Sequence, residues 1–173
     1  RIIKMLNVKD DHLVVESKGI YSIENFLTSR RLMYWQVYLH KTSVACEKML
    51  ISTLLRAKEL ASQGVELFAS PALRFFLYNR IDKDEFYNNP ACLENFIQLD
   101  DNDIWTALKV WSTHEDKVLS ILSQGLIDRH LFKVELSSSP LTKSQKDELI
   151  EKISIHLQIS KKEASYFLCT STI

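Results

Sequence analysis

Residues 12–16, His-Leu-Val-Val-Glu, form an apolar, β-branched run of strand length, and Ser17-Lys18-Gly19 reads as a turn that returns Ile20-Tyr21 as a second strand. Ser22 then stands as an N-cap, with Glu24 in the first turn facing the helix dipole. From Ile23 to about Ser62 there is neither Gly nor Pro. Ile23, Phe26, Leu27, Met33, Val37, Val44, Met49, Leu54 and Leu55 supply an apolar stripe that widens in places to most of the circumference. The pattern predicts one long helix, largely buried in a bundle and ended by Gly64. Pro71 after Ser70 opens a helix through about Asn79, and Pro90 marks another start. Asp101 or Asp103 begins a helix through Ser112, and Glu115 begins one that ends at Gly125.

The period then changes. Leu131-Phe132-Lys133-Val134-Glu135-Leu136 alternates as a strand, and Ser137-Ser138-Ser139-Pro140 is the most linker-like stretch. A helix follows from about Lys143 to Leu157, Ser160 caps a short one, and Tyr166-Phe167-Leu168-Cys169-Thr170 reads as a strand. The predicted fold is mostly α. A helical bundle with a short N-terminal β-hairpin occupies residues 1–130, and a β-α-β subdomain, cut within its last strand, occupies 131–173. Both ends read as cuts in a longer protein, because the sequence opens on Arg1 and closes inside that strand.

Composition sharpens this in three ways. Three glycines and three prolines are few for 173 residues, which favours long elements over a turn-rich sandwich. A net charge of zero disfavours extended nucleic acid as a partner, and no apolar run approaches the roughly 20 residues of a membrane span. Cys46, Cys92 and Cys169 are odd in number and far apart, as expected for reduced thiols in the cytoplasm.

The chain carries no Gly-rich phosphate loop, no H-E-x-x-H, no C-x-x-C and no G-x-S-x-G. Asp11-His12 and His114-Glu115-Asp116 are its only local His/carboxylate groupings, and capping or surface roles are favoured over metal ligation. The informative segment is Ser29 to Lys41, basic and rich in aromatics. On a continuous helix Arg30, Tyr34, Tyr38 and Lys41 share one stripe. Two readings stand: a packing helix with snorkelling cations, or a nucleotide surface in which Arg30 grips phosphate and a tyrosine borders sugar or base. Lys41 would lie about 16 Å along the axis from Arg30 at a rise of ~1.5 Å per residue, too far for one phosphate to bridge. Two separate sites follow if both bind nucleotide.

Arg30 followed by Tyr38-Leu39-His40-Lys41 resembles the R-x7-Y-x-H-K signature of the HD-domain deoxynucleoside triphosphate triphosphohydrolases. Arg129-His130-Leu131-Phe132-Lys133 is similar to that family's R-x-L-F-K strand, and Lys18 matches a family lysine in position. The similarity runs in order over about residues 15–135. It implies a metal-dependent enzyme that hydrolyses a dNTP to deoxynucleoside and triphosphate, with the divalent metal held by an upstream His, His-Asp and Asp set missing from this chain. No catalytic residue and no metal ligand is then expected here. By the same resemblance, Arg30 contacts substrate phosphate, Tyr38 borders the deoxyribose, and Leu39 stands where a human member has a glutamine near the base. Lys18, His40, Lys41 and Arg129 match a regulatory dNTP or GTP site between subunits of a homo-oligomer, dimer or tetramer. Glu16 departs from the pattern, replacing an arginine of that site. The rival readings are a non-catalytic binding or oligomerisation module and an HD phosphohydrolase acting on another phosphorylated substrate.

Overall fold

The computed structural model describes residues 2–171, so Arg1, Thr172 and Ile173, on which the expectation of cut ends rests, lie outside the described residues. Contacts divide the chain into two compact units, one ending at Val44 and the other beginning at Ala45.

The first unit opens on a 3-10 turn, Ile2–Met5, and an antiparallel hairpin of β1 (Leu6–Lys9) and β2 (His12–Val15), with Leu6 opposite Val15 and Lys9 opposite His12. Asp10 (φ 51°) and Asp11 (φ 61°) are both left-handed, the requirement of a tight two-residue hairpin that Asp tolerates better than most residues. The return strand expected at Ile20-Tyr21 is therefore not there: β2 pairs backwards with β1. Ile20 instead starts α1 (Ile20–Met33), with Gly19 rather than Ser22 at the N-cap. α1 buries none of its residues, so the expectation of a largely buried helix fails over this part of the chain.

The single long helix is also interrupted. Tyr34–Tyr38 forms one π-turn, closed by the Leu39 amide donating 2.8 Å to the Tyr34 carbonyl five residues back. The Ser43 hydroxyl donates 2.8 Å to the Val37 carbonyl, giving a terminal carbonyl of the turn a partner outside it. The chain re-enters α-helix as α2 (Lys41–Ser62), which Gly64 ends with a φ of 86°.

The second unit takes its core from α2 onward. Ala45, Met49, Ser52, Thr53, Arg56, Ala57, Leu60 and Ala61 repeat at three- and four-residue intervals and form the buried stripe of α2. Around it lie α3 (Pro71–Tyr78), α4 (Lys83–Asn88), α5 (Pro90–Gln98), α6 (Asp101–Trp111) and α7 (Lys117–Ile127). Their starts follow from local chemistry. The Ser70 side chain accepts from the Leu73 amide ahead of Pro71, and Asp100 and Asp103 form a reciprocal capping box on α6. The α7 cap is Asp116, one residue past the expected Glu115, and the helix runs through Gly125 to Ile127. Val118, Leu119 and Leu122 are fully buried against Leu108 and Trp111, each contributing about 1.5–3 kcal/mol of burial. The Trp111 indole N–H donates 3.0 Å to the Phe68 carbonyl, so the largest core side chain leaves no polar atom unmatched.

After α7 come α8 (Lys143–Leu157), α9 (Lys161–Ala164) and a 3-10 turn, Ser165–Phe167. The expected C-terminal β-α-β is absent among the described residues. Residues 131–136 run without a strand partner, and 166–170 begin in the 3-10 turn. Leu131, Phe132, Tyr166 and Phe167 pack on the helical core instead, where Phe132 and Phe167 meet edge to face at 6.5 Å, while Leu136 stays exposed. The adjacent pair Leu131 and Phe132 is half-buried together, so the alternation did not mark a sheet face and no ladder formed.

Candidate functional site

In the first unit the candidate substrate residues lie at the junction of α1 and the π-turn. Arg30 occupies the last turn of α1, where its charge complements the helix dipole. Its Nη2 donates 3.4 Å to the Tyr34 hydroxyl, and its guanidinium carbon stands 5.5 Å from the centre of the same ring. The Tyr34 and Tyr38 rings follow at 5.2 Å and 56°. Arg30, Tyr34 and Tyr38 thus form an exposed ladder of one cation and two rings, and Arg30 makes no ion pair among the described residues. Tyr34, absent from the residues the resemblance implies, joins the other two; its signal was the four-residue spacing on either side.

The remaining candidates are differently placed. Leu39 caps the π-turn with φ −96°. His40 is exposed, and its Nδ1 accepts from the Thr42 amide at 3.3 Å, so it acts on the first turn of α2 and is not a buried core histidine. Lys41 is the first residue of α2 and exposed. The break at Leu39-His40 removes the straight helix on which the stripe from Arg30 to Lys41 depended. Lys18 pairs with Glu16 at 2.6 Å, so the residue that departs from the family pattern offsets the charge of the one that matches it. A phosphate binding Lys18 must compete with that carboxylate.

Arg129 belongs to the second unit. It follows α7 at φ 59°, while the His130 amide donates 2.8 Å to the Gly125 carbonyl in a Schellman closure. Glycine is the residue this position favours, and an arginine there bears a left-handed cost of roughly 1–2 kcal/mol. Arg129→Gly is expected to keep the stability or raise it by up to about 1 kcal/mol, once the greater freedom of unfolded glycine is subtracted, with the melting temperature unchanged or higher. Differential scanning calorimetry checks it; a clear loss of stability would mean that the arginine side chain holds the turn.

The strongest charge cluster is one the sequence did not single out. Arg56, its side chain only 8% exposed, donates to both carboxylate oxygens of Asp116, at 3.1 and 2.5 Å. It also reaches Glu59 at 2.7 Å and Glu163 at 3.2 Å. Lys162 and the Tyr166 hydroxyl (2.9 Å) close the cluster on Glu59. The Lys162 ammonium, with Tyr166 and Arg56 and against the effect of burial, holds the Glu59 carboxyl down at about 2. Burial and the Glu59 hydrogen bond push the Tyr166 phenol up to about 12. For Asp116 burial works upward, but the Arg56 and Leu119 hydrogen bonds outweigh it and the net direction is down. Every carboxylate here is consumed by a cation or an amide, so the cluster is a clasp of α2, the α7 cap and α9. Asp116 accepts from the Leu119 amide at 2.8 Å and its own amide donates to His114 Nδ1 at 3.0 Å, which gives this His/carboxylate grouping its capping role. No group of three or more His, Cys, Asp or Glu side chains among the described residues is placed to hold a metal ion. The described residues supply no ligand set for the divalent metal implied by the resemblance.

Residues 1–69 match the HD associated region, the class of segment to which the hairpin, α1, the π-turn and α2 belong. The whole chain superposes with a TM-score of 0.95 and 73% identity on a crystal structure of a phosphohydrolase from Bacteroides thetaiotaomicron, of which it covers 44%. It is 30% identical over 133 residues to the protein YwfO of Bacillus subtilis strain 168, covering 77% of this chain and 29% of YwfO. Residues 1–69 thus match an HD associated region and the chain is a homologue of both proteins, in line with the HD-phosphohydrolase resemblance drawn from Arg30, Tyr38, His40 and Lys41. It spans less than half the length of either. No helix among the described residues is long and apolar enough to cross a membrane.

Proposed function

We propose that this chain is part of a metal-dependent HD-type phosphohydrolase that acts on deoxynucleoside triphosphates, and that it supplies phosphate- and sugar-facing side chains rather than the metal centre. The observation that carries this reading is the exposed Arg30–Tyr34–Tyr38 ladder within an HD associated region. Arg30 offers a planar fork for phosphate oxygens, and among the described residues its guanidinium's only hydrogen-bond partner is the neutral Tyr34 hydroxyl, which a charge-assisted bond to phosphate outcompetes. Tyr38, held by ring contact with Tyr34, offers a rigid wall against which a sugar lacking a 2′-hydroxyl packs more closely. The metal supplies Lewis-acid polarisation when bound, and its ligands belong to the part of the protein outside this sequence. Lys18, His40, Lys41 and Arg129 serve a regulatory nucleotide in a homo-oligomer under the same reading, with the Lys18–Glu16 pair reducing the affinity of that site.

The test is triphosphate release from a panel of dNTPs and NTPs by the full-length protein with manganese or magnesium. Arg30→Ala is expected to lower kcat/KM by at least about tenfold, as for loss of one charge-assisted contact to phosphate. Tyr38→Ala is expected to narrow the preference for deoxy over ribo substrates. Unchanged turnover in Arg30→Ala would remove it from the site. Release from a different phosphorylated compound, with dNTPs inert, would favour the rival substrate reading that Leu39 keeps open.

A further inference from the structure

We infer that the exposed face of α4 and α5 docks a basic amphipathic helical segment of another protein. Leu93, Phe96 and Ile97 fall at i, i+3 and i+4 on α5, the spacing of a helix face built to be covered, yet they are 55%, 57% and 73% exposed. Tyr87 on α4 adds a ring at 76% exposure. Beside them runs an apolar groove walled by Phe76, Ile81, Phe86, Phe96 and Leu99, in which Phe86 and Phe96 meet edge to face at 5.8 Å. The Lys58 ammonium is turned into the carbonyls of Phe76 (2.8 Å) and Asn79 (3.1 Å), so its stem lines the groove while its charge is spent on the end of α3.

Charge selects the occupant. Asp82, Asp84, Glu85, Glu94, Asp100 and Asp101 are all exposed on this stretch, and Lys83 is its only cation. None of the six forms an ion pair among the described residues, whereas Arg56 and Lys162 neutralise the acids of the clasp. Capping accounts for Asp82 and Asp100 but not for Glu94 or Asp101. An apolar groove lined by Asp82, on α4 and α5 elements whose exposed acids are unpaired among the described residues, is complementary to a helix that presents apolar anchors at i, i+3, i+4 and i+7 between lysines or arginines.

The experiment is fluorescence anisotropy on the full-length protein with a labelled Leu/Lys peptide of that periodicity. The control has the same composition scrambled to break the apolar stripe. The scrambled peptide is expected to bind about tenfold or more weakly, as is the periodic peptide to a Phe96→Ser, Ile97→Ser double variant whose circular dichroism is native. Glu94→Lys with Asp101→Lys, which leaves the groove intact, is expected to weaken binding several-fold and flatten its salt dependence. Equal binding of the scrambled peptide overturns the proposal. So does no binding to the full-length protein, which would mean that its own chain covers the face, and so does loss of self-association in the double variant, which would make the occupant a second copy. If the double variant does not fold, the charge variant decides alone.

Discussion

Arg56→Met is expected to destabilise the second unit by about 3–5 kcal/mol at neutral pH, the cost of removing one partner from a buried charge cluster. Methionine keeps most of the volume, so a cavity contributes little. The loss arises because Asp116, 14% exposed at its side chain, keeps only the Leu119 amide as a donor, while Glu59 keeps Lys162 and Tyr166. The pH dependence separates this from a packing defect. The Glu59 carboxyl falls from 4.5 to about 2 on folding, and those of Asp116 and Glu163 are also lowered. Groups lowered in the folded state contribute stability that is complete above their unfolded pKa and disappears as pH falls through the folded one. The native protein should therefore lose the Glu59 contribution between about pH 4.5 and pH 2, and the gap between it and the variant should close as the Asp116 carboxyl, which Arg56 holds down, takes up its proton. Urea unfolding at several pH values measures it. A gap that stays constant down to pH 2 would mean that methionine fails for reasons of shape.

Gly125→Val is expected to cost about 3 kcal/mol, against about 1 for Gly125→Ala. A Cβ on Gly125 would fall within the Met49 methyl group and 3.1 Å from the His130 carbonyl. The Met49 side chain is flexible and can yield to one methyl. The carbonyl is backbone and fixed by the turn that places Arg129, so the branches of valine must displace the turn itself. The two variants should then differ in urea midpoint, and near-equality would show that this backbone moves freely.

How much of this was legible follows from how local each signal is. The starts at Pro71, Pro90 and Lys143 could be read because a cap and its first turn lie within four residues. The strands expected at 131–136 and 166–170 are not formed, since alternation does not supply the partner that completes a ladder. β1 was missed because its turn is Asp10-Asp11, without the glycine that advertises a left-handed pair. Of the site, the order of Arg30, Tyr38, His40 and Lys41 stood in the sequence, and so did the spacing of Tyr34. The helix break did not, because nothing between Met33 and Lys41 is a recognised breaker. Arg56 was legible in hindsight: it is the one charge in the stripe Met49, Thr53, Ala57, Leu60.

The π-turn at Tyr34–Tyr38 also acts on angular phase. An α-helix advances about 100° per residue, and a turn that holds one residue more sets everything after it back by about that much. Residues on the two sides of Tyr34–Tyr38 are thus out of step with any helical wheel drawn through them. An ungapped alignment with a relative that keeps plain α-helix here would match every letter and still assign His40 and Lys41 to the wrong azimuth.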